Sequence, residues 1–97
     1  MPAYVIYDIH VDDPDAYAPY RAPAGASVEA HGGRYLARGG PHELLEGEWD
    51  VDRLVIIEFP SMEQARAWHD SPEYQEVAPI RQAASRGRGV IVDGHSG

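Results

Sequence analysis

Ninety-seven residues make one domain, which buries roughly two-thirds of the surface an unfolded chain exposes, so a single core is feasible but stability is slim without a partner. Sixteen acidic against eight basic residues give a formal charge of -8, which repels phosphate backbones and anionic lipid and argues against binding to nucleic acid or a membrane surface. There is no cysteine, every basic residue is arginine and no apolar run nears the roughly 20 residues of a bilayer span, so disulfides, thiolate and lysine chemistry and a membrane helix are set aside and the cytoplasm is the expected setting.

Ala3 to Val11 has the β-branched and aromatic content of a strand, with Val5, Tyr7, Ile9 and Val11 alternating with Tyr4, Ile6, Asp8 and His10. Both faces are substantially apolar. Asp13 followed by Pro14 reads as an N-cap and first helical residue, and the helix is expected to run to about His31, with Pro19 and Pro23 kinking or interrupting it. Gly32-Gly33 stops it. Arg34 to Arg38 is a short strand, and His42 to Leu45 is expected to extend it beyond a bulge at Gly39-Gly40.

Arg53 to Phe59, with Leu54, Val55, Ile56 and Ile57 in unbroken succession, reads as a central strand covered on both faces, and Pro60 ends it. Ser61 and Gln64 form a capping-box pattern ahead of a helix carrying Met62, Ala65 and Trp68. Ser71-Pro72-Glu73 restarts that helix, which continues through Tyr74, Val77 and Arg81 to about Ser85, disturbed at Pro79. Arg88 to Asp93 is the last strand.

The order β-α-β-β-α-β predicts an α+β, ferredoxin-like domain over residues 1–94, with both helices on one face of a four-stranded antiparallel sheet and a flexible tail at 95–97. The other sheet face is too apolar to stand in water. Its simplest cover is the same face of a second copy, which predicts a homodimer closed as an α/β barrel.

His31-Gly-Gly-Arg-Tyr-Leu-Ala-Arg-Gly-Gly40, Leu45-Glu-Gly47, Glu58-Phe-Pro-Ser61, Ala67-Trp68 and Ser71-Pro-Glu-Tyr-Gln75 followed by Arg81 span nearly the whole chain. In these motifs it resembles the bacterial family known as domain of unknown function 1330 (DUF1330). The resemblance implies the dimeric α/β-barrel fold shared with muconolactone isomerases, cofactor-free antibiotic-biosynthesis monooxygenases and chlorite-dismutase-like proteins. It implies no particular activity.

Several residues carry two readings each. His31 either favours the helix dipole at a C-terminus or serves as a general base. Glu58, inside a central strand, either pairs with an arginine or acts as a catalytic carboxylate, and Asp8 is either a solvent-facing member of its strand or a buried acid that shuttles protons. Arg34, Arg53 and Arg81 are candidates to clamp a substrate carboxylate or enolate. Tyr7, Tyr20, Tyr35, Trp68 and Tyr74 offer flat area for a phenolic ligand or, alternatively, core packing, and Ser71 reads as a helix cap.

Histidines 10, 31, 42, 69 and 95 show no metal-ligand spacing, and neither a G-x-G-x-x-G nor a Walker pattern is present, so no metal or nucleotide cofactor is expected. Three functions fit: a cofactor-independent enzyme that isomerises or moves protons on a small anionic or phenolic metabolite; a non-catalytic homodimer that binds such a metabolite; or a structural partner with a filled core.

Overall fold

The computed structural model describes residues 1–95; the expected tail falls partly outside them, at residues 96 and 97. Four strands, β1 (Ala3–Val11), β2 (Arg34–Arg38), β3 (Arg53–Phe59) and β4 (Ser85–Asp93), form one antiparallel sheet in the order β2-β3-β1-β4. Helices α1 (Pro14–Ala30), α2 (Met62–Asp70) and α3 (Pro72–Ala84) cover one face. This is the expected ferredoxin-like α+β arrangement, its second helical segment divided in two at Ser71.

Local chemistry sets the boundaries. The Asp13 carboxylate accepts from the Ala16 amide, and Pro14 occupies the first turn, where its missing N–H is harmless. At the other end Gly32 takes φ +78°, its amide donating to the Glu29 carbonyl and that of Gly33 to Val28, a Schellman closure that a side-chain-bearing residue would strain. The Ser71 hydroxyl donates to the Trp68 carbonyl at 2.7 Å and accepts from the Tyr74 amide, so one residue closes α2 and opens α3.

Three expectations are corrected. Helix α1 is not interrupted: it runs 17 residues through Pro19 and Pro23, because both prolines and the carbonyls they leave unpaired lie on its exposed side, open to solvent; α3 likewise continues through the exposed Pro79. Residues 42 to 45 do not extend β2. The bulge lies at Leu36, between Tyr35 and Ala37, and Gly39 at φ +73° turns the chain out of the sheet into a loop over residues 40–52. Strand β4 also starts three residues early, at Ser85 opposite Val11, directly as α3 ends.

Strand alternation then separates two surfaces. Val5, Tyr7 and Ile9 of β1 and Val55, Ile57 and Phe59 of β3 point to the helices and form the core with Trp68, Tyr74 and Val28. Tyr4, Ile6, Leu54, Ile56, Val90 and Val92 occupy the opposite face, which none of the described helices covers, and Val90 is 60% exposed.

Candidate functional site

The sheet sorts the residues selected from sequence onto its two sides. On the open face the register sets Arg34 opposite Glu58, and Arg34 Nε donates to Glu58 Oε1 at 2.9 Å. That pair satisfies itself. Asp8, on the same face, is only 7% exposed, and its Oδ2 accepts from Trp49 Nε1 at 2.8 Å with Arg88 3.7 Å away. His31 caps α1, its Nδ1 donating to the Ser27 carbonyl at 3.0 Å. The guanidinium of Arg53 lies 6.0 Å from the Tyr17 ring, over a shallow groove with Val11 and Pro14.

The helix side holds the denser chemistry. Tyr74, Val77, Ala78, Arg81 and Ala84 repeat at helical spacing along the buried side of α3, which delivers Arg81 into the core at 8% exposure. Its guanidinium lies 5.1 Å from the Tyr7 ring and 6.0 Å from the Tyr20 ring, and the Tyr20 and Tyr74 hydroxyls are 2.9 Å apart. Among the described residues no carboxylate comes within ion-pair reach of Arg81, and its Nε is buried with no partner.

Burial opposes that charge, but the neighbouring hydroxyl of Tyr74, followed by those of Tyr20 and Tyr7, outweighs it and lifts the Arg81 pKa above its ordinary value. The same burial, reinforced by Tyr74, pushes the Tyr7 and Tyr20 phenols well above the usual tyrosine range, and burial raises Tyr35 too. At neutral pH Arg81 is therefore a fixed cation, and Tyr7 and Tyr20 beside it keep their protons.

A cavity of about 310 Å³ opens beside β4, with Tyr7, Trp68, His69, Arg81, Gly89 and Ile91 among its walls. Gly89 pairs with Tyr7 across the strands, and a Cβ there would overlap Tyr7 Cε1, so glycine is what lets the ring lie flat against β4. Trp68 Nε1 donates to Ser27 Oγ at 3.0 Å, which itself donates to the Ala24 carbonyl, tying α2 to α1. Tyr74 packs behind, its ring centroid 4.2 Å from that of Trp68, while Tyr35 stacks under Arg38 at 4.1 Å. Of the residues selected from sequence, the cavity gathers Tyr7, Trp68 and Arg81.

His69 was not among the residues selected from sequence. Its side chain is half exposed at the cavity wall, the ring 5.6 Å from that of Tyr74 and Nδ1 3.4 Å from Asp70 Oδ1. The available signal was position: His69 directly follows the buried Trp68, in the last turn before the Ser71-Pro72 break, where a helix end lies over the sheet edge.

A family model described as "Domain of unknown function (DUF1330)" matches residues 2–95. No curated protein matches the chain. Among solved structures, it resembles the RPA0582 protein of Rhodopseudomonas palustris, of unknown function, at 26% identity and TM-score 0.77, covering 99% of this chain and 84% of that one. It also resembles a point mutant of SnoaB, a cofactor-independent oxygenase from Streptomyces nogalater, at 15% identity and TM-score 0.71, with coverage of 99% and 95%. A third is a dimeric ferredoxin-like protein of unknown function from Jannaschia sp. CCS1, at 14% identity and TM-score 0.71, with coverage of 97% and 100%. The last two likenesses are likenesses of fold.

Proposed function

Since the chain belongs to the DUF1330 family, we propose that it works as a homodimer whose subunits each admit a small anionic or phenolic organic molecule between sheet and helices and move a proton on it without a cofactor. One observation carries this reading: a buried guanidinium, unpaired by any carboxylate among the described residues, forms part of the cavity wall. A core cation of this kind is costly to desolvate, and a ligand carboxylate, phenolate or enolate offsets that cost in bidentate geometry. Architecture shared with a cofactor-independent oxygenase supports the reading by analogy.

In the chemistry proposed, His69 takes a proton from a ligand carbon or hydroxyl, and the electron pair left behind is held as an oxyanion by Arg81 and by the protonated Tyr7. Returning the proton at another atom completes an isomerisation with no net oxidation. His69 thus takes the part considered for His31. Support for the homodimer comes from the uncovered apolar face of Tyr4, Ile6, Leu54, Ile56, Val90 and Val92, and from a fold relative that is dimeric.

Thermal-shift and calorimetric titration with benzoate and its neutral counterpart benzamide tests the binding. Benzoate is expected to raise the Tm and benzamide to leave it unchanged. Arg81→Met abolishes the benzoate shift, while an apolar chain of similar length keeps the core filled and the ligand-free variant is expected to stay folded by circular dichroism. Equal shifts from both ligands, or a benzoate shift surviving in Arg81→Met, overturn the assignment. Proton exchange of bound carbonyl acids into heavy water, lost in His69→Ala, separates an enzyme from a carrier.

A further inference from the structure

We propose a second ligand site on the opposite side of the sheet, at Asp8 and Trp49, that takes a small organic cation: an ammonium group on a short apolar chain. It stands or falls independently of the Arg81 cavity. Asp8 Oδ1 is buried and has no hydrogen-bond partner among the described residues, although Oδ2 of the same carboxyl accepts from Trp49. A carboxylate only accepts, so an oxygen held out of water in this way calls for a donor from outside the chain.

The surroundings suit such a donor. Asp8 lies in the wall of a cavity of about 400 Å³ whose other walls are Ile6, Leu54, Trp49, Arg88, Gly89 and Val90, mostly apolar surface fit for an alkyl chain with the carboxylate at one end. Trp49, carried in from the loop after Gly39, lays an indole beside the carboxylate, where an ammonium gains both the charge and the aromatic face. The adjoining hollow adds Glu48 and Asp50 together with His10 and Arg86.

The cations nearby do not satisfy that oxygen. Arg86 is held by both oxygens of Asp12 at 3.2 Å, and His10 lies 4.0 Å from Asp52. Arg88 approaches Oδ2 rather than Oδ1, at 3.7 Å, beyond hydrogen-bond length, with its side chain 79% exposed. In the face-to-face dimer this cavity lies in the seam between the two copies.

The probe is butylammonium, titrated at neutral pH against its neutral and anionic counterparts butanol and butyrate, with calorimetry for affinity and tryptophan fluorescence for place. Saturable binding of butylammonium alone is expected, with a change in emission. Asp8→Asn weakens it by about tenfold or more. Trp49→Phe keeps detectable heat but erases the emission change, because the other tryptophan, Trp68, is buried on the helix side. Four results overturn the proposal: no saturation, butanol binding as well as butylammonium, an emission change that persists in Trp49→Phe, or an Asp8→Asn variant that alters the monomer–dimer equilibrium while binding the ammonium as before. The last would make Asp8 an interface residue for the second copy. Should Asp8→Asn not fold, the three-ligand comparison and Trp49→Phe still decide.

Discussion

A guanidinium that lacks a carboxylate is kept in place by what surrounds it, and around Arg81 that is phenol. Tyr7 and Tyr20 supply ring area for the cation and hydroxyls that remain protonated because burial raises their pKa well above the usual tyrosine range. The linkage has a definite sign. An unfolded chain loses these protons near pH 10 while the folded chain keeps them, so the contribution to stability is complete below about pH 10 and drains away as pH climbs beyond it. Urea denaturation from pH 8 to 12 is expected to give a level midpoint up to about pH 10 and then a steep fall. The tyrosinate absorbance of the folded protein should account for fewer than its six tyrosines until unfolding sets in. A midpoint level to pH 12 contradicts the buried phenol cluster.

Strand β4 contributes to the cavity by what it lacks. With Tyr7 lying over Gly89, Gly89→Ala forces a methyl into space the ring occupies, and the expected cost is about 1–3 kcal/mol together with weakened benzoate binding as Tyr7 shifts. Gly40→Ala is the control, since no described atom lies within 4 Å of a Cβ there; it should stay within about 0.5 kcal/mol of the parent in urea denaturation. Much of this layer could be read from the sequence. The alternation of β1, the run Leu54–Ile57, Asp13-Pro14 and Ser71-Pro72 each carry a local rule that the fold obeys. The loop after Gly39 could not be read, because Trp49 is anchored to Asp8, 41 residues away in sequence, and no local pattern encodes such a contact. The prolines of α1 misled for a related reason: which side of a helix faces water is settled by the packing of the whole.

Among the described residues the molecule is a sheet with three helices on one side and none on the other, where Trp49 reaches in from its loop to Asp8. Val90, 60% exposed and outside the core, can be changed without disturbing the subunit; Val90→Glu is therefore expected to keep the fold and to halve the sedimenting mass at micromolar concentration. A parent protein that already sediments as one copy contradicts the homodimer. This arrangement also explains how far the site was readable. Alternation assigns Asp8, Glu58 and Arg34 to one side and Tyr7 to the other, and the helical stripe of α3 directs Arg81 inward. Whether a carboxylate, a phenol or nothing meets that arginine depends on side chains brought together from β1, α1 and α3, and only the assembled fold displays it.

The two outermost strands carry one more consequence. On one flank β2 is only five residues long, broken by a bulge and bearing Arg34 and Arg38; on the other, β4 interleaves Arg86 and Arg88 with Gly87 and Gly89. Short, kinked, charged or glycine-rich borders are poor templates for another strand. Growth sideways into ribbons or fibrils is thereby discouraged, which leaves the face of Ile6, Leu54 and Val90, not the strand borders, for the proposed homodimer.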